Sequence, residues 1–92
     1  MLFKAGYKCM TNGVMNRCAV DAGFYKFVLA SMKRHCRGDW GCVGAEDWAL
    51  NDASVKAGER ILSAYEYYTG EIIWIITEWD RSVTTVLFPC EY

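Results

Sequence analysis

Two carboxylates and an arginine in the C-terminal third of the sequence could carry acid–base or metal chemistry. Glu78 and Asp80 lie two residues apart, and Arg81 follows directly. Paired carboxylates can hold a divalent cation or act as general acid and base. No third group that would complete a catalytic set is identifiable beside them. A small metal-dependent nuclease or hydrolase is therefore the second alternative function.

Arg81 also has a structural explanation. It is one of three basic residues after position 38, a region that holds ten carboxylates. Its planar guanidinium can bond two acceptors at once. We expect Arg81 to dock the turn that contains it on the helical part of the chain by pairing with Asp39, Glu46 or Asp47.

His35 is the only histidine in the sequence. Nucleophilic catalysis would need it beside a nucleophile, and Cys36, Cys42 and Ser82 are the conceivable partners. A sole histidine at the end of a helix more often acts as a capping cation. The sequence contains no phosphate-binding glycine loop, metalloprotease motif or dinucleotide fingerprint. We therefore predict no catalytic residues and no cofactor.

A short basic segment precedes a glycine-rich loop. Its cationic residues and their aromatic neighbours are Lys33, Arg34, His35, Arg37, Tyr25 and Trp40. Such a patch can contact phosphate, although a solvated helix end is its commoner meaning. In the loop, Asp39 can bond its own amides, which predicts a self-capped turn with Trp40 in the core. A nucleic-acid-binding accessory protein is the first alternative function.

The cysteines do not have the spacing of a zinc site. Their positions are Cys9, Cys18, Cys36, Cys42 and Cys90, and no two are separated by the two to four residues typical of zinc ligand pairs. Their odd number also argues against a disulfide framework. We predict reduced, partly buried thiols and no bound metal.

The charges divide along the sequence. Residues 1–38 hold seven lysines and arginines against one carboxylate, a balance of +6, whereas residues 39–92 hold three against ten, a balance of −7. Such polarity can steer a charged partner. It can equally reflect two halves of one domain that attract each other, which we favour slightly.

The period of the apolar residues changes near position 60. Helical spacing predicts helices at 14–20 and 22–36, the second capped by Asp21, and a third from Glu46 to Gly58. β-Branched and aromatic runs then predict three strands: Ile61–Tyr68, Glu71–Glu78 and Val83–Phe88.

These elements predict one α+β domain over residues 1–92. Two or three N-terminal helices, within a mainly helical part at 1–58, would pack on one face of a three-stranded antiparallel β-meander at 59–92. No apolar run is long enough to span a bilayer, and no apolar leader segment is visible. We therefore expect a cytoplasmic protein that does not contact membrane.

The stretch from Arg34 to Tyr92 resembles a group of small uncharacterised proteins carried by bacterial plasmids, integrative elements and phages. The matching residues are Arg34-His35, Gly38-Asp39-Trp40-Gly41, Glu46-Asp47, Asn51-Asp52, Ser63-Ala64-Tyr65, Ile76-Thr77-Glu78, Asp80-Arg81-Ser82, Thr84-Thr85 and Pro89-Cys90-Glu91-Tyr92. Small proteins of such mobile elements often inhibit host defence, as anti-CRISPR proteins do. The resemblance implies a similar role here.

We therefore predict a non-enzymatic interaction protein that binds and inhibits a host defence protein or ribonucleoprotein complex. Direct nucleic-acid contact and a homodimer are left open. The residues predicted to bind the partner are Lys33, Arg34, His35, Arg37, Asp39, Trp40, Glu78, Trp79, Asp80 and Arg81.

Overall fold

Three α-helices and four β-strands make up the chain in the computed structural model, which describes all 92 residues. The helices are α1 (Asn12–Val20), α2 (Ala22–Cys36) and α3 (Ala45–Ala57), and a short 3-10 helix follows at Pro89–Glu91. The strands are β1 (Tyr7–Met10), β2 (Ile61–Glu66), β3 (Ile72–Thr77) and β4 (Val83–Leu87). The predicted α+β class is confirmed. No helix combines the length and apolar character needed to cross a bilayer.

The sheet is mixed, with strand order β1-β4-β3-β2. Strands β2, β3 and β4 form the predicted antiparallel meander. The prediction of a three-stranded antiparallel sheet is wrong at one edge, because β1 adds to β4 in parallel. The part of the chain predicted as mainly helical therefore also supplies a strand. β1 is only four residues long, and its pairing depends on residues far along the sequence rather than on local pattern.

Gly6 allows the N-terminal segment to approach β4. Its backbone φ is +64°, and a Cβ at this position would lie 2.3 Å from the carbonyl oxygen of Ser82. The next residue, Tyr7, donates its N–H to that same oxygen over 3.0 Å. A side chain at position 6 would therefore collide with the backbone that β1 must reach.

Side-chain caps fix where the first two helices begin. Thr11 caps α1 and Asp21 caps α2, each by accepting a hydrogen bond from the backbone N–H three residues later. The cap at Thr11 starts α1 two residues before the predicted range 14–20. α2 spans the predicted range 22–36, and α3 ends as predicted at Gly58, which is left-handed.

The core lies between helices α1 and α2 and one face of the sheet. Its buried apolar members are Val14, Phe24, Val28, Tyr65, Ile73, Ile75 and Val86. Alternate residues of each strand point to this face, and Phe24 and Val28 lie one helical turn apart on α2. These contacts bury one side of α2 against the sheet.

Helix α3 lies beside the edge strand β2, so the prediction that all the helices pack on one face is wrong. The Asn51 side-chain amide donates to the carbonyl oxygen of Leu62 over 2.7 Å and accepts from its N–H over 3.3 Å. These bonds satisfy backbone groups of β2 that have no neighbouring strand. α3 has no pronounced apolar stripe that would place it on the core face.

The loop between α2 and α3 covers the rest of the β2 edge. Ala64 donates its N–H to the carbonyl of Trp40 over 3.2 Å and accepts from the N–H of Cys42 over 2.8 Å. Between them, Gly41 has a φ of +74°, and a Cβ there would lie 1.9 Å from the Ala64 oxygen. Only glycine can occupy this position.

Arg81 docks the turn between β3 and β4 on α3, but the predicted ion pair is wrong. Its Nη1 donates to the carbonyl of Glu59 over 2.7 Å, and its Nη2 donates to the carbonyl of Ser54 over 2.9 Å. The Ser54 carbonyl lies in the last turn of α3, where backbone carbonyls carry partial negative charge, and the Glu59 carbonyl lies just beyond the helix. They replace the predicted carboxylates, Asp39, Glu46 and Asp47, as acceptors.

Replacing Arg81 with alanine should lower the free energy of unfolding by about 1–3 kcal/mol, because the change removes charge-assisted hydrogen bonds to the carbonyls of Ser54 and Glu59. Urea denaturation measures the difference. Lys4→Ala is the control, since Lys4 is exposed and makes no ion pair. Equal losses in the two variants would contradict the docking role of Arg81.

Candidate functional site

A chain of buried hydrogen bonds centred on His35 links α2 to three strands. His35 Nδ1 lies 2.5 Å from Ser63 Oγ on β2, and Nε2 lies 2.8 Å from Thr77 Oγ1 on β3. Thr77 Oγ1 is 2.7 Å from Thr84 Oγ1 on β4, which donates to the carbonyl oxygen of Ala5 over 2.7 Å. All five residues are buried. The chain of bonds therefore spans the sheet and reaches the N-terminal segment.

The hydrogen bond from Thr84 to Ala5 determines which group donates and which accepts at each step of this chain. Because the Thr84 hydroxyl donates to a carbonyl, its oxygen accepts from Thr77. The Thr77 oxygen then accepts from His35 Nε2–H, and Nδ1 accepts from the Ser63 hydroxyl. A second proton on the ring would turn the Ser63 hydroxyl toward the Ile75 carbonyl, 3.5 Å away. The arrangement therefore suits the neutral imidazole.

Burial lowers the pKa of His35 to about 4, because the charged ring would lose its contact with water. A serine hydroxyl against a histidine is the start of a nucleophilic arrangement. Here both groups are fully buried, and the far ring nitrogen meets a threonine instead of a carboxylate. The partners considered from the sequence, Cys36, Cys42 and Ser82, are not bonded to the ring. His35 acts in this structure as a neutral hydrogen-bonding group of the core.

Arg34 and Asp39 hold the loop that follows α2. Arg34 donates from Nε and Nη2 to the two Asp39 carboxylate oxygens over 2.8 and 3.2 Å, and these bonds lower the pKa of Asp39. Asp39 also accepts from the N–H of Gly41, which confirms the predicted self-capped turn. The Tyr65 hydroxyl donates to the Asp39 carbonyl over 2.7 Å, and the Arg34 guanidinium lies 4.9 Å from the Tyr65 ring centroid.

Trp40 is fully buried, as the structural explanation of its loop predicted. Its indole N–H donates to the Asp52 carboxylate over 2.9 Å, and its ring meets His35 edge-on at 5.7 Å between centroids. The prediction that Trp40 and His35 bind the partner is wrong for both side chains. Their burial removes both side chains from any surface that a partner could touch.

The turn between β3 and β4 keeps two of the predicted binding residues at the surface. Trp79 is 66% exposed, and Asp80 is exposed beside it. Asp80 accepts from the N–H and hydroxyl of Ser82 over 3.0 and 2.6 Å, which lowers its pKa. Glu78 bonds Arg81 through its carbonyl. No group of three or more His, Cys, Asp or Glu side chains is arranged to hold a metal ion.

The cysteines are free thiols with different surroundings. Cys36 is buried at the end of α2, whereas Cys9, Cys42 and Cys90 are exposed. Burial raises the pKa of the half-buried Cys18 thiol. The structure therefore assigns no shared chemistry to the five positions.

A basic surface runs along the outer side of α2 and onto β1. We define it by four exposed cations: Lys8, Lys26, Lys33 and Arg37. Lys26 and Lys33 on α2 and Arg37 at its C-cap fall on one side of a helix with 3.6 residues per turn, over about 16 Å. None takes part in an ion pair, since the ion pairs of the chain use Arg17 and Arg34. These positive charges are therefore free to meet an external partner.

A groove between α2 and β1 adjoins the basic surface. Its larger part encloses about 330 Å³ and is lined by Met1, Lys8, Met32, Lys33, Cys36 and Arg37. Its smaller part, about 110 Å³, shares Lys8 and Met32 and is otherwise lined by Cys9, Met10, Val28, Leu29 and Val86. Cations thus border one part of the groove, and apolar side chains fill most of the wall of the other.

Lys33 and Arg37 are recognisable in the sequence as part of a basic segment, whereas the contribution of β1 to this groove is not. Lys8 and Met10 pair with Thr84 and Val86, so their side chains point to the face of the sheet that α2 covers. An alternation over only four residues is too short to predict a strand or its parallel partner. The groove therefore emerges only when β1 is placed in the sheet.

Only two ion pairs join the two oppositely charged halves of the sequence. Ion pairs cross the divide at Arg17–Glu71 and Arg34–Asp39, with N–O distances of 2.5 and 2.8 Å. The other five cations of residues 1–38 are exposed and outside any ion pair: Lys4, Lys8, Lys26, Lys33 and Arg37. β1 lies at one edge of the sheet, and the acidic helix α3 lies at the other. Attraction between the two halves therefore accounts for only a small part of the charge pattern.

Comparisons with known proteins assign no family, since no protein-family model, no curated protein and no solved structure matches this chain.

The depressed pKa of His35 predicts that stability declines as pH falls from 6.5 toward 4. In this window the unfolded chain takes up a proton that the folded chain resists, which removes up to about 3 kcal/mol. Urea denaturation at pH 7.0 and 4.5 measures the loss. His35→Gln should be less stable at pH 7.0 and should show a smaller loss between the two pH values.

An imidazole titration by NMR provides the independent check. The His35 ring signals should stay constant from pH 8 to 5.5 in the folded protein. A midpoint near 6.5, or equal pH dependence in the wild type and His35→Gln, would contradict the buried neutral ring.

Proposed function

We propose that this chain is a non-enzymatic interaction protein that binds an acidic site on a protein partner through its basic surface. The observation that carries the proposal is the set of unpaired cations, Lys8, Lys33 and Arg37, beside an apolar groove. Isolated exposed charges add little to the stability of a fold. A cluster of one sign instead speeds association with an oppositely charged partner and selects against others.

The groove favours a protein partner over a purely electrostatic one. Interfaces between proteins have an apolar centre and a polar rim. Met10, Leu29 and Met32 provide flexible or branched apolar contacts, and the cations lie at the border. Methionine adapts readily to different partner surfaces because it is unbranched and polarisable.

The biological setting that we propose is inhibition of a host defence protein or ribonucleoprotein complex. The support for it is the resemblance of residues 34–92 to small proteins of plasmids, integrative elements and phages. A protein that blocks a nucleic-acid-binding complex needs no catalytic centre of its own. The core roles of His35 and Trp40 are consistent with a chain that acts by binding.

Affinity capture from a nuclease-treated bacterial lysate, with mass spectrometry, tests the proposal. The wild type should retain a protein partner, and Lys33→Ala/Arg37→Ala should bind it about tenfold more weakly, on the order of 0.7 kcal/mol per cation. The matched control is Lys56→Ala/Arg60→Ala, which removes the same charge from exposed positions outside the basic surface. Equal effects of the two double variants would contradict the proposed surface.

Nucleic-acid binding remains the second candidate, because Lys26, Lys33 and Arg37 form a line of unpaired cations along α2 and its C-cap. Under this alternative, binding of labelled DNA or RNA would weaken linearly with the logarithm of salt concentration. The triple alanine variant would flatten that dependence. Recovery of nucleic acid from an untreated lysate, together with loss of every protein partner after nuclease treatment, would favour this candidate over ours.

A further inference from the structure

The outer edge of β1 is open. In the parallel pair with β4, Tyr7 donates its N–H to Ser82, and Thr11 donates to Val86. Successive strand residues alternate in direction, so the N–H and C=O groups of Lys8 and Met10 point away from β4. Neither residue takes part in any backbone hydrogen bond outside the helices and strands. β1 is the terminal strand of the sheet, so no strand pairs with its outer side.

The opposite edge of the sheet provides an internal comparison. At β2, the side chain of Asn51 and the loop around Gly41 satisfy the outward backbone groups of Leu62 and Ala64. The fold therefore covers one edge and leaves the other unpaired. Native sheets usually blunt an open edge with charge, and Lys8 is the charge at this one.

We propose that an extended acidic segment of the partner adds to β1 as a fifth strand. This inference rests on the proposed function and specifies how the basic surface recognises its partner. Strand addition gives affinity through main-chain hydrogen bonds, and pockets for alternate side chains give specificity. The outward groups of Lys8 and Met10 supply the bonds, and the groove beside α2 supplies the pockets.

The groove defines the chemistry of that segment. Residues two apart on a strand face the same side and lie about 6.6 Å from each other. One such side chain would enter the apolar part of the groove at Met10, Leu29 and Met32. The next on the same face would reach the larger part, where Lys8, Lys33 and Arg37 favour a carboxylate. The segment thus carries an acidic and an apolar residue two positions apart.

Charge disfavours a second copy of this chain as the occupant. Pairing of β1 with β1 about a two-fold axis would bring two copies of Lys8 and of the neighbouring cations together. Like charges at such close range on paired strands are destabilising. The edge therefore selects an acidic partner and discourages self-association.

The proposal is tested by titrating the ¹⁵N-labelled protein with an end-blocked peptide, Thr-Glu-Thr-Leu-Thr-Glu, followed by NMR. Saturable shifts should concentrate at the amides of Lys8 and Met10 and along the groove. They should weaken with added salt. The control peptide, Thr-Lys-Thr-Leu-Thr-Lys, should bind at least tenfold more weakly because its charges oppose the groove.

A matched pair of variants separates strand addition from charge. Lys8→Ala removes only the cation, whereas Lys8→Pro also removes the outward N–H, which an edge strand tolerates. Lys8→Pro should bind the peptide about fivefold more weakly than Lys8→Ala, which corresponds to the loss of one hydrogen bond. The unperturbed core signals of each variant establish that it is folded.

Several outcomes would overturn strand addition. Equal affinity of the folded Lys8→Ala and Lys8→Pro variants, or shifts confined to Lys26, Lys33 and Arg37, would show binding by charge alone. Those results would leave the proposed function intact if the lysate partner is still retained. A dimer in light scattering with the Lys8 and Met10 amides protected from hydrogen exchange would assign the edge to a second copy. Absence of acidic-peptide binding by the wild type would also overturn the strand-addition proposal.

Discussion

The hydrogen bonds around His35 are the interaction on which much of this fold depends. Five buried polar groups from α2, three strands and the N-terminal segment meet in the core, and each has a hydrogen-bond partner. A buried polar group without a hydrogen-bond partner lowers the stability of the fold, so these bonds favour one relative placement of the helix, the strands and the N-terminal segment. Ala5 receives the last bond, which places the chain just before β1. The same buried chain thus supports the strand that carries the open edge.

The glycines at positions 6 and 41 provide a second constraint. Each has a positive φ and lies where a Cβ would overlap a carbonyl oxygen. Gly6 admits β1 to β4, and Gly41 admits the α2–α3 loop to β2. The two edges of the sheet therefore depend on the same physical property, yet the first remains open and the second is covered. The outward backbone groups of β2 are thus used within the fold, whereas those of β1 are not.

The buried polar side chains of the core are uncharged, and the charged side chains lie at or near the surface. Arg34, Arg17 and Arg81 bind partners within the chain, so they contribute to loop and turn positions. Lys8, Lys33 and Arg37 have no such ion pair and lie around an apolar groove. The distinction between paired and unpaired cations is invisible in a net charge of −1. The unpaired cations therefore distinguish one side of the molecule from the rest of its surface.

Local sequence determined the α+β class, the capped helix at 22–36, the antiparallel meander and the self-capped turn at Asp39. Each depends on neighbouring residues, through apolar period, caps or turn chemistry. Tertiary structure alone decided that β1 joins β4, that Arg81 binds helix-end carbonyls and that His35 lies in the core. These outcomes depend on contacts between distant parts of the chain. The sequence alone therefore reveals the basic segment at 33–37. Only the fold shows that His35 lies in the core, that Arg34 pairs with Asp39, and that Lys33 and Arg37 remain at the surface.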